Sequence, residues 1–138
     1  AMDIRIVEVG PRDGLQNEAR PVPTATKLEL IRRLVGAGHT TVEATSFVSP
    51  TWVPQMADAA EVCAGLEARA GVSFPVLVPN AKGYERALAC GVSEIAVFTA
   101  ASEAFNRRNT NAGIEESLER IAQVVTLAQR DGVRVRGY

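Results

Sequence analysis

One pattern recurs four times and constrains this chain more than any other feature: a helical stretch ends, a glycine follows, and a β-branched apolar run begins. Gly38 precedes His39-Thr40-Thr41-Val42-Glu43-Ala44, and Gly71 precedes Val72-Ser73-Phe74-Pro75-Val76-Leu77-Val78-Pro79. Gly91 precedes Val92-Ser93-Glu94-Ile95-Ala96-Val97-Phe98, and Gly132 precedes Val133-Arg134-Val135-Arg136-Gly137-Tyr138. Glycine takes the left-handed conformation that ends a helix without a Cβ clash, and the chain can then enter a strand.

The segments between these runs carry a helical period. Residues 24–37 place Leu28, Ile31, Leu34 and Val35 on one stripe, with Lys27, Glu29, Arg32 and Arg33 elsewhere. Residues 54–70 carry Met56, Ala60, Cys63 and Leu66 behind Pro54, which suits a first helical turn. Residues 82–90 form a short helical segment, and residues 114–130 a long one built on Ile114, Leu118, Ile121, Val124, Val125 and Ala128. A β-branched opening strand occupies residues 4–9. Strict alternation of strand and helix means an α/β fold with a parallel sheet and right-handed crossovers. A doubly wound sheet would carry a glycine-rich phosphate turn after its first strand. Gly10-Pro11-Arg12-Asp13-Gly14 lacks that spacing, and Pro11 and Asp13 would spoil a backbone phosphate cradle.

Composition bounds the function classes. Hydrophobic residues make up 46% and charged residues 22%, which describes a chain with enough apolar mass to build a core. Fifteen Lys and Arg against sixteen Asp and Glu give a net charge of −1, so no global field recruits nucleic acid or an anionic membrane. No apolar run approaches the roughly 20 residues of a membrane span. Ala1-Met2 reads as a remnant ahead of the natural start, and no secretory signal follows it, so a cytoplasmic location is expected. Cys63 and Cys90 are expected to be reduced, mostly buried thiols within helices.

The chemically capable residues follow the strands. Arg12, Asp13, Gln16 and Asn17 follow the first; Glu43, Thr45 and Ser46 end the second; Asn80 follows the third. Ser102, Glu103, Asn106, Arg107, Arg108, Asn109 and Asn111 lie in a long loop, residues 99–113, after the fourth. Such clustering beyond several strand ends is the habit of a (β/α)8 barrel, with its site on the C-terminal face. Asp13 can offer oxygen to a hard divalent cation, and the adjacent Arg12 can stabilise an enolate or carboxylate. A plain Arg12–Asp13 pair capping the loop is the alternative. Glu43 stands inside an apolar strand, where a carboxylate needs a partner or a chemical task. Arg107-Arg108 could meet the phosphates of a large ligand or stay solvated. Glu8 is expected to be structural, and His39, the one histidine, falls in a turn at the opposite end of the sheet.

Val7-Glu8-Val9-Gly10-Pro11-Arg12-Asp13-Gly14-Leu15-Gln16-Asn17-Glu18 resembles the opening strand and loop of the 3-hydroxy-3-methylglutaryl-CoA lyases. Further blocks resemble the same family in order: Glu43-Ala44-Thr45-Ser46-Phe47-Val48-Ser49-Pro50, Trp52-Val53-Pro54-Gln55-Met56-Ala57-Asp58, Pro75 through Asn80, and Asn109 through Leu118. Leu15, where the wider superfamily of Claisen-type synthases has Glu, and the preceding Gly10-Pro11 favour the lyase branch. The resemblance implies a metal-assisted cleavage of 3-hydroxy-3-methylglutaryl-CoA to acetyl-CoA and acetoacetate. It implies Asp13 as a ligand to Mg2+ or Mn2+, Arg12 as the stabiliser of the thioester enolate, and Glu43 as a site carboxylate orienting Arg12 or substrate. Gln16, Asn80 and Asn109 would be polar contacts to the acyl-CoA thioester.

The resemblance also sets expectations about completeness. The family barrel has eight strands, so residues 1–138 correspond to its N-terminal half, about five strands. The other metal ligands of the family, a His-x-His pair and an Asn, belong to later strands, so these residues alone are expected to be inactive. A half-barrel would leave two unpaired edges and an apolar interior face, so self-association is expected. The competing functions are a synthase running related chemistry toward condensation, and a non-catalytic half-barrel assembly unit.

Overall fold

The computed structural model describes residues 3–138; Ala1 and Met2, set aside above, lie outside them. The elements are α1 (Thr24–Gly36), β1 (Thr45–Ser46), α2 (Ala59–Gly65), β2 (Val76–Leu77), α3 (Ala81–Ala89), β3 (Glu94–Val97), α4 (Glu103–Thr110), α5 (Ile114–Asp131) and β4 (Arg134–Gly137). One π-helical turn, Gly10–Gly14, and one 3-10 turn, Pro54–Met56, complete them. The strands are parallel and lie side by side in chain order, β1-β2-β3-β4. The opening segment joins on the outer side of β1 through a parallel bridge from Glu8 to Val42. Sequential order without reversal is the winding of a barrel; a doubly wound sheet would turn back on itself.

Side-chain alternation separates two faces. Val42 and Ala44 point outward to Ile31 and Val62, while Val76, Val78, Ile95 and Val97 pack outward on Tyr84, Ala87, Val124 and Ala128. Inward-pointing residues are largely polar. At the N-terminal end one residue from each of five successive segments joins a hydrogen-bonded belt. Arg5 donates to Thr41 Oγ1, Ser73 Oγ and Glu94 Oε2, each at 2.9 Å, and Arg134 donates to Glu94 Oε2 at 3.1 Å. The expected apolar interior is therefore corrected at this end, whereas Val9, Leu77 and Phe98 line the cleft at the C-terminal end. Exposed apolar side chains lie on the opening segment, where Ile4 and Ile6 alternate with the inward Arg5 and are 80% and 71% exposed, and also at the C-terminal rim, at Trp52 and Phe105.

Several boundaries differ from the sequence expectations. Residues 4–9 form no regular strand, because they have a neighbour on one side only and β-propensity takes effect through packing. The helix expected over 54–70 breaks into the 3-10 turn and α2, which stops at Gly65. At Gly65 a Cβ would come within 2.3 Å of Leu28 Cδ1, so α1 and α2 meet where no side chain fits. Lys27 does not sit on a solvated face: it is buried and pairs with Asp58 at 2.6 Å, its Nζ also donating to the Gln55 carbonyl. The loop expected over 99–113 contains α4, capped by Ser102 Oγ accepting from Phe105 N at 3.3 Å. Cys63 and Cys90 are both free and only half-buried. The four glycines Gly38, Gly71, Gly91 and Gly132 all take positive φ, as expected.

Close packing at the C-terminal rim yields a test. A Cβ at Gly83, in the first turn of α3, would lie 2.7 Å from the Phe47 carbonyl oxygen and 2.8 Å from Pro79 Cδ. Gly83→Ala should therefore destabilise the fold by about 1–3 kcal/mol, the usual cost of overpacking. Urea unfolding with an unchanged midpoint would contradict this packing.

Candidate active site

The π-helical turn places the opening motif at the C-terminal rim. Arg12 N and Asp13 N both donate to the Val9 carbonyl, at 3.1 and 2.7 Å, and Gly10 N donates to Glu8 Oε1 at 2.7 Å. Glu8 is thereby committed to the local turn, with His39 Nε2 3.8 Å from its other oxygen. That turn tucks Arg12 inward and leaves Asp13 60% exposed at its side chain.

Glu43 is completely buried, and its carboxylate is the hub of the interior. Its Oε1 accepts from Arg12 Nε at 2.6 Å. Its Oε2 accepts from Arg136 Nη2 and from the Tyr138 hydroxyl, each at 2.7 Å. Arg12 Nη1 also donates to Asp13 Oδ1 at 3.0 Å. Burial alone would lower the Arg12 pKa, but the charge and hydrogen bond of Glu43 outweigh it, and the net direction is upward. Arg12 therefore keeps its charge throughout the working pH range. Burial pushes the Tyr138 phenol up, and its hydrogen bond to Glu43 adds to the shift.

A cleft of about 540 Å³ opens over this hub, and Arg12, Asp13, Gln16, Asn80 and Asn109 all line it. Glu43 lies beneath it and touches it through Arg12. The amides are not equally free. Asn80 Oδ1 caps α3 by accepting from Gly83 N at 2.9 Å, which leaves its NH2 for a ligand. Asn109 lies on α4 and donates to the Phe105 carbonyl at 2.8 Å, which leaves its oxygen. Gln16 Oε1 is buried without a hydrogen-bond partner. Arg107 turns back toward Glu103 at 3.8 Å, and neither it nor Arg108 lines the cleft.

Four cleft residues escaped the sequence reading: Trp52, Phe105, Arg120 and Tyr138. Trp52 stood within a motif block without a role. Arg120 looked like a helix-surface charge, and in the fold it donates to the Thr110 carbonyl at 3.3 Å beneath α4. The α4 segment itself is held by buried Asn106, which accepts from Ala100 N at 3.1 Å and donates to the Ala112 carbonyl at 3.2 Å.

Metal binding can be weighed from the donors. Among the described residues Asp13 is the only carboxylate side chain lining the cleft, and no three His, Cys, Asp or Glu side chains converge on one point. A hard divalent cation wants six or more oxygen or imidazole contacts. Asp13 suits one of them, since only its Oδ1 is hydrogen-bonded to Arg12. The thiols offer no alternative: burial, with Cys90 nearby, pushes Cys63 up to about 12, where it carries no thiolate at neutral pH.

The hub makes a quantitative prediction. Glu43→Ala would leave two guanidiniums, Arg12 and Arg136, without their shared counter-charge. Stripping one partner from a buried pair costs about 3–5 kcal/mol. Denaturant unfolding should show a loss of that order; a loss below about 1 kcal/mol, the level of an exposed pair, would mean that Glu43 is not the buried hub.

The chain matches the HMGL-like family over residues 3–137. It is 56% identical over 98% of its length to the mitochondrial hydroxymethylglutaryl-CoA lyase of Bos taurus, and spans 42% of that protein. It is 56% identical, again over 98%, to the 3-hydroxy-3-isohexenylglutaryl-CoA/hydroxy-methylglutaryl-CoA lyase of Pseudomonas aeruginosa, of which it spans 45%. The crystal structure of a hydroxymethylglutaryl-CoA lyase from Pseudomonas aeruginosa superposes with a TM-score of 0.92 over 98% of this chain and 45% of that one. The structure of an Acinetobacter baumannii lyase in complex with coenzyme A and 3-methylmalate is 34% identical, with a TM-score of 0.90 over 96% of this chain and 43% of that one. The chain thus spans less than half the length of these relatives, and its parallel sheet corresponds to the N-terminal half of their (β/α)8 barrel. Other relatives are named as cytoplasmic or as mitochondrial lyases, and among the described residues no helix is long and apolar enough to cross a membrane. By sequence and by fold, the chain belongs to the HMGL-like family.

Proposed function

We propose that the protein carrying these residues is a hydroxymethylglutaryl-CoA lyase, with an acyl-CoA thioester as substrate. The observation that supports this most is the charged rim: Arg12 held by Glu43, beside the exposed Asp13, over a cleft lined by Gln16, Asn80 and Asn109. The relatives' names support the substrate, and the coenzyme A complex of the Acinetobacter relative supports a thioester ligand.

In the proposed reaction the tertiary 3-hydroxyl loses its proton, the C2–C3 bond breaks, and the electron pair moves onto the thioester as an enolate. Acetoacetate leaves, and protonation of the enolate gives acetyl-CoA. Arg12 would stabilise that enolate: it lines the cleft with its Nε engaged by Glu43 and its Nη1 by Asp13, which leaves Nη2 for the developing oxyanion. Asp13 would contribute one oxygen to a metal site. The family is metal-dependent, and a divalent cation such as Mg2+ or Mn2+, when bound, supplies the acidification of the hydroxyl. The amides of Gln16, Asn80 and Asn109 would orient the substrate. The cytoplasmic location expected from the sequence belongs to this reading, and the rat cytoplasmic relative supports it.

Joining residues 3–138 to the remaining length of the Pseudomonas lyase gives the direct test. The fusion should cleave 3-hydroxy-3-methylglutaryl-CoA in the presence of Mg2+ or Mn2+, and lose activity on chelation. Asp13→Asn should reduce kcat by about a hundredfold or more. A fusion that folds but consumes acetyl-CoA in condensation instead would favour the synthase reading.

The uncovered edges support one further expectation. Ile4 and Ile6 on the opening segment, and Val135 on β4, are exposed beside edges with no further strand. The 138-residue chain alone should self-associate through them. Sedimentation showing a single monomeric species up to about 100 µM, far above the micromolar range of specific association, would contradict this.

A further inference from the structure

Two groups from the last residues, the Arg136 guanidinium and the Tyr138 hydroxyl, complete the Glu43 hub. Arg136 Nη2 and the Tyr138 hydroxyl both donate to Glu43 Oε2 at 2.7 Å, and Arg136 Nη2 also donates to the Tyr138 oxygen at 2.7 Å. The Tyr138 ring lies against both guanidiniums, with its centroid 4.4 Å from Arg136 Cζ and 5.6 Å from Arg12 Cζ. Glu43 Oε2 is therefore filled, and Oε1 alone faces Arg12.

That occupancy decides the geometry of Arg12. An arginine and a carboxylate left to themselves prefer a two-point pair, in which both carboxylate oxygens take parallel N–H donors. Here Arg12 reaches Glu43 through Nε only, at 2.6 Å, and its Nη1 goes to Asp13 at 3.0 Å. If Oε2 were vacated, Glu43 could rotate and take a second Arg12 donor from the edge that faces the cleft. We infer that Tyr138, together with Arg136, is a positioning residue for Arg12: by occupying Glu43 Oε2 it keeps the Arg12–Glu43 contact single-point and leaves Nη2 of Arg12 for the reacting oxygen. This rests on the lyase reading above.

The test uses the fusion of residues 3–138 with the remaining length of the Pseudomonas lyase. Tyr138→Phe keeps the ring against the guanidiniums and removes one donor to Oε2; Tyr138→Phe with Arg136→Met removes both. The single variant should lower kcat about tenfold and the double variant about a hundredfold, with KM within about twofold, because the interaction lost is one made in the transition state. In an Arg12→Lys background, Tyr138→Phe should have no further effect on kcat, since Tyr138 acts through Arg12. Equal losses in both backgrounds, or a rise in KM at constant kcat, would overturn the proposal. A crystal structure of the double variant decides it independently of turnover: a two-point Arg12–Glu43 pair supports it, and a retained single-point contact overturns it. An unsubstituted fusion that folds yet cleaves no substrate defeats the lyase reading, and that structure still decides the geometry.

Discussion

Glu43 is a carboxylate with no access to water, and its two oxygens are divided between groups from opposite ends of the chain. Arg12 is 31 residues before it, while Arg136 and Tyr138 are 93 and 95 residues after it. Glu43 lies on the segment leading into β1, and Arg136 lies on β4, with β2 and β3 between them. In a flat sheet three intervals of about 4.8 Å would hold them about 14 Å apart, at the limit of what the two extended side chains could span along the sheet. Contact at 2.7 Å across the concave side requires the sheet to curl. The belt below makes the same demand, since Arg5 on the first segment meets Glu94 on β3. Curvature and charge pairing are therefore one constraint: the curl brings the charges together, and the unpaired charges would be intolerable in any flatter arrangement.

A buried network of this kind is poor value as stability alone. The desolvation of two guanidiniums and a carboxylate offsets most of their attraction, and apolar residues of similar volume commonly serve a fold as well. The network is better understood through what it leaves over. Arg12, Arg136 and Glu43 sum to one positive charge, and Asp13 at the rim brings the group to neutrality. An Asp13 engaged elsewhere would leave a net positive hub below the cleft. Fixed positive charge, already oriented before reaction, is what an enolate or carboxylate developing there would need.

Much of the fold was legible in the sequence because its signals are local. The glycine at each helix-to-strand turn needs only its own φ to be diagnostic, and Gly132 ends α5 with Val133 N donating to the Ala128 carbonyl at 2.8 Å. The Arg12–Asp13 motif was found for the same reason, being contiguous and directly behind a strand. What was missed depends on tertiary context. Lys27 looked like a solvated charge until Asp58 and the Gln55 carbonyl closed over it. The α4 helix hid inside a polar run, whose helical character rests on the Ser102 cap and on buried Asn106. Arg136 and Tyr138 were the costliest omission for the site. Val133-Arg134-Val135-Arg136 alternates like a strand with one face in water. Alternation tells which residues share a face, and says nothing of whether that face meets solvent or a barrel interior lined with carboxylates.

The same ambiguity governs how the five segments can persist side by side. A parallel sheet is ordinarily covered on both faces, and its concave side here has no layer of helices. Had the inward residues been Val, Ile and Leu, that side would be a large apolar surface in water. Instead the inner positions carry Arg5, Glu43, Glu94, Arg134 and Arg136, which satisfy one another across the curl. The apolar load is carried by the outer face, where α1, α2, α3 and α5 pack against it. Pressure for further burial therefore comes from the two edges, at Ile4, Ile6 and Val135, and from Trp52 and Phe105 at the mouth of the cleft. The opening segment and β4 differ in this respect: β4 leads directly into Tyr138, which lines the cleft, so a strand added along that edge would stand beside the site and completion of the sheet is coupled to completion of the site.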